Sequence, residues 1–349
     1  MAVTMQDIAK GLDVSVVTVS KVLRNQGKIS PRMRQRVLER AQKLNYQPNW
    51  IARSLVTRRT YTIGLLLPDF THPFFAEIAK AVAETTRPLG YHVIISYFEE
   101  DADLERTEAE SLVARQVDGL IVATVQSSAG VDLFAGIRKR RLPFVLIDRP
   151  LAGVQASFVG VDNEAIGRLA TNHLIEQGCR RIAHLRGPAV GIAAERMAGY
   201  RHALAAHSLK VAAGHIVEAR YEDQSGYHAM CKLLRTKPIP DGVFCYNDPV
   251  AIGAMKAILE AGLRIPEDIA VVGAGNVRYS DLLAVPLTTV DQGARQIGSR
   301  AAELLLEQIG SKRALRPKQV WIEPRLVVRQ STRRLPSSEV LERVRAVAE

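Results

Sequence analysis

Two kinds of hydrophobic spacing divide the chain. Over residues 4–56 apolar positions recur every three or four residues, the helical period, and from Tyr61 onward short apolar runs alternate with helical stretches. In the first part, Thr4 followed by Asp7 has the spacing of a capping box, with Asp in place of the usual Glu or Gln, and Ile8, Ala9 and Leu12 form one apolar face. The pattern breaks at Asp13, a residue type that tolerates the left-handed backbone of a tight turn. Ser15 is a second N-cap with Thr18 three residues on, and Val19, Val22 and Leu23 recur at helical spacing, able to pack against Ile8 and Leu12. The stretch DVSVVTVSKVL (13–23) therefore reads as helix, although its valines favour strands. That assignment leaves Val16, Val17, Ser20 and Lys21 facing outward.

A third helix starts at Ser30-Pro31, an N-cap with proline at the first helical position. Val37, Leu38, Ala41 and Leu44 form its apolar stripe, and Arg32, Arg34, Arg36 and Arg40 lie opposite. Pro48 then blocks continuation. Asn49 can cap a short helix over Trp50 to Val56, which is too short to be stable alone in water and reads as a hinge that folds against a partner.

Beyond Tyr61, TIGLLLP, YHVIISYF, VDGLIVAT and RLPFVLID alternate with FFAEIAKAVAETTRPLG and LERTEAESLVARQ. A second set of runs begins near Val161, including NEAIGRLATNHLIEQG, RRIAHLRG, DGVFCYN, DPVAIGAMKAILEAG and IAVVGAG. Strand–helix alternation implies parallel sheets covered by helices on both faces. Two doubly wound lobes with a ligand in the cleft between them is the expected architecture.

Composition narrows the class. With 47% hydrophobic and 24% charged residues, the 349-residue chain is typical of soluble globular proteins and long enough for two or three domains. No apolar run approaches a membrane span, and no charged-then-apolar leader pattern opens the chain, so a cytoplasmic protein is expected. Cys179, Cys231 and Cys245 are odd in number and widely spaced, with no metal-ligand motif. Charge is the informative term. Residues 1–60 hold twelve Lys/Arg against three acids, +9 of the chain's +11. A basic head on a nearly neutral body points to a polyanion-binding module. Two outward valines followed by a lysine suit a DNA major groove, where apolar groups meet thymine methyls and lysine reaches guanine O6/N7.

TMQDIAKGLDVSVVTVSKVL and YQPNWIARSL resemble the helix-turn-helix and hinge of the LacI/GalR family of bacterial transcription regulators. The body resembles the same family at PDFTHPFFAEI, VDGLIVA, LIDRP, VGVDNEAIGRLA, RMAGYRHAL, YNDPVAIGAMKAI and VPLTTVDQ, so the likeness spans about residues 3 to 331. It departs at Leu12-Asp13, where the family usually has Ala-Gly, and at Arg24, usually Asn.

The resemblance implies an all-α helix-turn-helix DNA-binding domain (1–48), a hinge helix and linker (49–60), and an α/β core like periplasmic binding proteins (61–331). That core would comprise a first lobe of about 61–161 plus 290–320 and a second of about 162–289 plus 321–331, followed by a tail at 332–349. Val340, Val344 and Val347 give the tail one short helical stripe, read as a frayed appendage. The implied DNA-binding residues are Thr4, Ser15, Val16, Val17, Thr18, Ser20, Lys21, Arg24 and Ser30, with Asn49, Ala52 and Leu55 from the hinge. Paired hinges would enter the minor groove, Leu55 wedging into the central base step.

The implied effector-site positions are Phe74, Phe75, Asp148, Arg149, Arg196, Tyr221, Asn247, Asp248, Asn276 and Gln292. Aromatics at such a site stack on rings, while Arg, Asn, Asp and Gln fix polar edges. The implied protein is a homodimeric repressor on a palindromic operator, controlled by a sugar, sugar phosphate or sugar acid, with no cofactor or metal and no membrane partner. Gly275 stands where relatives commonly have Asp, and His72 where Asn is common; Gly275 and Arg149 together favour an anionic or phosphorylated sugar or another small acid over a neutral hexose.

Two other classes compete. An enzyme would need more than the GAGNVR loop at 273–278, which lacks a third glycine; no G-x-S-x-G, phosphate-binding lysine loop or H-E-x-x-H occurs, and His92, His184 and His228 are isolated. A transporter's solute-binding component would explain the body but not the +9 head.

Overall fold

The computed structural model describes residues 3–23, 26–46, 59–126, 130–188 and 191–333. The chain divides into two compact units, Met1–Thr60 and Tyr61–Glu349.

In the first unit, each helix starts where a side chain serves its orphan amides or fixes the entering turn. Ahead of α1 (Met5–Lys10), the Asp7 carboxylate accepts from the Thr4 amide (2.8 Å) and the Thr4 hydroxyl (2.7 Å). Asp13 takes the left-handed conformation expected of it, φ 53°. The Ser15 hydroxyl then accepts from the Thr18 amide (3.1 Å) to open α2 (Val16–Leu23). Ser30 accepts from the Met33 amide (3.3 Å) ahead of α3 (Pro31–Lys43), with Pro31 in the first turn. Ile8, Ala9, Val19, Val22, Val37 and Ala41 form the small core, so Asp13–Leu23 is helix rather than strand.

One expectation fails here. Leu38 is 48% exposed and does not share the stripe. Val37, Ala41 and Leu44 are spaced by four and three residues and face the core together, whereas Leu38 lies about 100° round the helix from Val37. Met33 packs against the core instead. Arg40 is only half-buried rather than fully solvated, and a Cβ at Gly11 would touch its guanidinium.

The second unit contains two six-stranded sheets. In chain order its elements begin with β1 (Thr62–Leu67), α4 (Pro73–Thr86), β2 (His92–Tyr97), α5 (Ala102–Ala114), β3 (Gly119–Val122), α6 (Val131–Lys139), β4 (Phe144–Ile147) and β5 (Ser157–Val161). They continue as α7 (Asn163–Glu176), β6 (Ile182–Arg186), α8 (Ile192–Ala206), β7 (Ile216–Glu218), α9 (Asp223–Leu233), β8 (Gly242–Cys245), α10 (Asp248–Glu260) and β9 (Ala270–Ala274). The chain then forms β10 (Thr288–Asp291), α11 (Ala294–Gly310), β11 (Gln319–Ile322) and β12 (Arg325–Val327).

The first sheet has the order β11-β5-β4-β3-β1-β2 and is parallel throughout. The second has the order β12-β10-β9-β8-β6-β7, with β12 antiparallel to β10 at one edge. Strands β1, β3, β4 and β9 are almost wholly buried, as continuous apolar runs between helical layers should be. The chain crosses between lobes after Val161, after Asp291 and after Ile322. Expectation put the last two near 290 and 321, but Thr288–Val290 pairs with β9 in the second sheet and Gln319–Ile322 with β5 in the first.

Glycines set one helix contact that matters below. A Cβ at Gly199 on α8 would fall on the Glu164 carbonyl of α7, and one at Gly167 on α7 would fall on the Arg196 carbonyl of α8. The two backbones therefore touch, which fixes where the first turns of α8 present Arg196.

Candidate ligand cleft and nucleic-acid interface

Between the two lobes of the second unit lies a cavity of about 730 Å³, built from loops at the carboxyl ends of strands. The loop after β1 supplies His72 and the first turn of α4 Phe74 and Phe75; the loop after β2 supplies Glu99 and Glu100, and that after β4 Asp148 and Arg149. The second lobe contributes Arg196, Tyr221, Tyr246 and Asn247, and Gln292 comes from the crossing after β10.

Arg196 is 3% exposed yet has no carboxylate within ion-pair distance among the described residues. Its Nε donates to Asn163 Oδ1 (3.0 Å), Nη1 to the Tyr246 carbonyl (2.5 Å) and Nη2 to Gln292 Oε1 (2.7 Å), and the guanidinium lies 4.8 Å from the Tyr246 ring centroid. Burial lowers its pKa from the usual arginine value, and Tyr246 and Asp148 oppose that. A buried guanidinium oriented by neutral groups keeps its charge available to hydroxyl oxygens in the cleft.

Arg149 is different. Its Nη1 and Nη2 donate to the two carboxylate oxygens of Glu100, each at 2.7 Å, and Nε lies 3.6 Å from Asp148 Oδ2. Burial pushes the Asp148 carboxyl up, and Arg149 opposes the shift. Asp148, Glu99 and Glu100 all have positive φ (65°, 52° and 60°), a conformation that costs a non-glycine residue roughly 1 kcal/mol each and clusters at binding sites. The expectation that Arg149 offers a free cation to an anionic ligand is therefore corrected: its fork is filled. Gly275, the other basis for that expectation, does not line the cavity.

His72 caps α4, its Nδ1 accepting from the Phe74 amide (3.3 Å), while Nε2 lies 3.3 Å from Asn247 Nδ2 of the other lobe. Asn247 in turn caps α10 by accepting from the Val250 amide (2.8 Å) and donates to the Tyr221 carbonyl (3.0 Å). Burial holds the His72 ring below the usual histidine pKa.

Of the ten positions expected in the cleft, Phe74, Phe75, Asp148, Arg149, Arg196, Tyr221, Asn247 and Gln292 line it, and Asp248 and Asn276 do not. Asp248 is fully buried, accepting from the Val277 amide (2.9 Å), Ser280 Oγ (3.0 Å) and Thr289 Oγ1 (2.5 Å). Asn276 donates to Asp291 (3.1 Å) and accepts from Arg329 (2.7 Å). Both serve the 275–280 loop. Sequence reasoning did not find Glu100, which no periodicity or motif marks, or Tyr246, although it opens the YNDPVAIGAMKAI stretch.

On the first unit, Val16 and Val17 are 37% and 62% exposed and Lys21 is exposed beside half-buried Ser20, the outward face expected of α2. Ser15 and Thr18 hydroxyls pair at 2.9 Å, and Thr4 and Ser30 sit at the helix starts already described. Arg24, Asn49, Ala52, Leu55, the hinge stretch 49–56 and the tail stripe at 340–347 lie outside the described residues.

Residues 4–49 match the model of the bacterial regulatory proteins of the lacI family, and residues 171–332 match a periplasmic binding protein-like domain. Over 337 residues the chain is 36% identical to the ribose operon repressor of Halalkalibacterium halodurans, covering 96% of this chain and 99% of the relative. A crystal structure of the Lac repressor dimer bound to operator and the anti-inducer ONPF superposes with a TM-score of 0.85 at 27% identity, over 95% of this chain and 99% of that one. A LacI family transcriptional regulator from Enterococcus faecium with bound ribose gives 0.70 at 27% identity, over 79% of this chain and 100% of that one.

Proposed function

The chain belongs to the LacI family of bacterial transcription regulators, and from that premise we propose that its basic head reads a palindromic operator as a homodimer, under control of a sugar held between the lobes. It is a transcriptional repressor and not an enzyme, as its relatives are. The reading puts it in the cytoplasm, with the DNA it acts on.

The observation that carries the effector half is the pairing of Arg196 and Gln292 at 2.7 Å within a cleft that also presents Phe75, Asp148 and Asn247. Aromatic faces cover the apolar side of a sugar ring, and alternating donors and acceptors meet its hydroxyls. The ribose in the Enterococcus faecium regulator and the ribose operon repressor of Halalkalibacterium halodurans support a pentose as the first candidate.

The DNA half rests on the exposed Val16–Val17–Lys21 face and the +9 charge of residues 1–60. Phosphate contacts supply affinity that falls with salt, and the α2 face reads bases. Hinge residues Asn49, Ala52 and Leu55, with Thr4, Ser15, Thr18, Ser20, Arg24 and Ser30 of the head, complete the proposed interface. A sugar acts by favouring one arrangement of the lobes, and it shifts DNA affinity only as far as it binds the two states differently.

Selection of duplexes from a randomised pool by the full chain tests the reading. An inverted repeat with thymines beside a guanine in each half is expected. Recovery of no common sequence would contradict it.

A further inference from the structure

Glu100 closes the fork of Arg149, the arginine that lines the cleft from the first lobe. The two bonds to Arg149 are both 2.7 Å, with side-chain exposures of 18% for Arg149 and 31% for Glu100. The position is built. Phe98 before it is fully buried, the Glu99 amide donates to the Pro68 carbonyl (2.9 Å), and Asp101 after it caps α5 by accepting from Asp103 and Leu104 amides (2.8 and 2.9 Å). Glu100 is thus held by its neighbours on both sides, with a positive φ of 60°.

The charge around it follows the same direction. Five acids line the cavity (Asp69, Glu99, Glu100, Asp148 and Glu222) against three arginines (Arg149, Arg196 and Arg220), so acidic side chains outnumber basic ones around the cleft. Hydroxyls both donate and accept, and a surface alternating carboxylate with guanidinium N–H satisfies both abilities. A phosphate or carboxylate only accepts. To reach Arg149 it would have to displace Glu100 from two charge-assisted bonds and leave that carboxylate unpaired beside Asp148.

We infer that Glu100 is the charge-selecting residue of the cleft, an internal counter-anion to Arg149 that reserves the site for neutral sugars and turns away their phosphorylated and acidic analogues. The inference rests on the sugar reading and sharpens it, replacing the anionic ligand that the sequence suggested. It is a specificity role, exercised through Arg149, and it does not require Glu100 to be the strongest contact to the sugar.

Calorimetry on the full chain with matched pairs tests it: ribose and ribose 5-phosphate, glucose and glucose 6-phosphate, fructose and fructose 6-phosphate. The wild type should bind the neutral member of its preferred pair about 100-fold or more tightly than the phosphorylated one. Glu100→Gln, which keeps the shape and one acceptor but removes the counter-charge and turns the second acceptor into a donor, should shrink that ratio by about tenfold or more. Glu100→Ala should shift it the same way, which covers any misfolding peculiar to one variant. Glu110→Gln removes the same charge from the exposed side of α5 and should leave the ratio unchanged. Tighter binding of a phosphorylated sugar by the wild type would overturn the inference, as would a ratio untouched by both Glu100 variants. Failure of every neutral and phosphorylated sugar to bind would instead overturn the sugar reading and the inference with it.

Discussion

Asn247 Nδ2 lies 3.3 Å from His72 Nε2, joining the second lobe to the first across the cleft, while the other nitrogen of the same ring accepts from the Phe74 amide. Asn247 cannot turn to relieve this, because its Oδ1 is committed to the Val250 amide and its Nδ2 also serves the Tyr221 carbonyl. Both imidazole nitrogens therefore face donors, and a neutral ring can accept through only one of them. With Nδ1 accepting from Phe74, Nε2–H meets Asn247 Nδ2 donor against donor, so the interlobe contact is not a hydrogen bond and is suited to exchange for a ligand hydroxyl.

His72 should accordingly have two separable roles. His72→Asn keeps a good N-cap on α4 and should leave stability within about 0.5 kcal/mol, whereas His72→Ala should cost about 1 kcal/mol. Both should alter sugar affinity. Denaturant unfolding and calorimetry on the two variants distinguish the roles; equal stability loss in both would show that the ring packs rather than caps.

Gly199→Ala should be among the costliest single-methyl changes in the second lobe. The added Cβ would fall on the Glu164 carbonyl of α7, so α8 must move, and overpacking of this kind costs about 1–3 kcal/mol. Because Arg196 rides on α8, sugar affinity should fall together with stability. Unchanged unfolding in denaturant would contradict the close helix contact.

His184 should make the chain acid-sensitive. It is fully buried on β6, stacked on Phe244 at 4.5 Å, with Nδ1 2.9 Å from the Phe244 carbonyl and Nε2 without a partner among the described residues. Burial pushes its pKa down to about 4 from the ordinary 6.5. A depressed folded value means the native state needs the neutral ring, so its contribution is complete above 6.5 and is lost as pH falls toward 4. Between pH 6.5 and 5 that amounts to about 2 kcal/mol. His173, also lowered by burial, acts in the same direction, so the readout is a difference. His184→Leu should lose stability less steeply than wild type between pH 7 and 5 in urea unfolding; parallel slopes would rule out this source.

Val16 and Val17 should supply preference rather than bulk affinity. Replacing both with serine removes the methyls that meet thymine, while leaving the head's charge intact. Preference at the facing base pairs should drop by about tenfold, roughly 1.4 kcal/mol, with nonspecific binding and its salt slope unchanged. Competition binding on single-base operator variants reads this directly. An unchanged preference would show that the two valines only fill space.

The head was legible in the sequence where its physics is local. Thr4 with Asp7, Ser15 with Thr18 and Ser30 with Pro31 are decided within three or four residues, and Asp13 announced its own left-handed turn. Leu38 departs from the pattern because hydrophobicity alone does not say which of two adjacent residues faces the core. The cleft was legible only through family resemblance, since Arg196 and Gln292 are 96 positions apart and no spacing rule links them. Asp248 and Asn276 have the chemistry of ligand groups, yet the 275–280 loop consumes it through Thr289, Ser280 and Arg329. Glu100 was invisible for the opposite reason: in YFEEDADL it looks like one more solvated acid, and its partner lies 49 residues on.

The central claim is that a sugar in the interlobe cleft controls DNA binding by the head. Fluorescence anisotropy of a labelled operator, titrated with the full chain at fixed salt with and without the sugar that calorimetry selects, tests it most directly. The account predicts a change in operator Kd of about tenfold or more, either tightening or release. A sugar that saturates the cleft and leaves the operator Kd unchanged would contradict it.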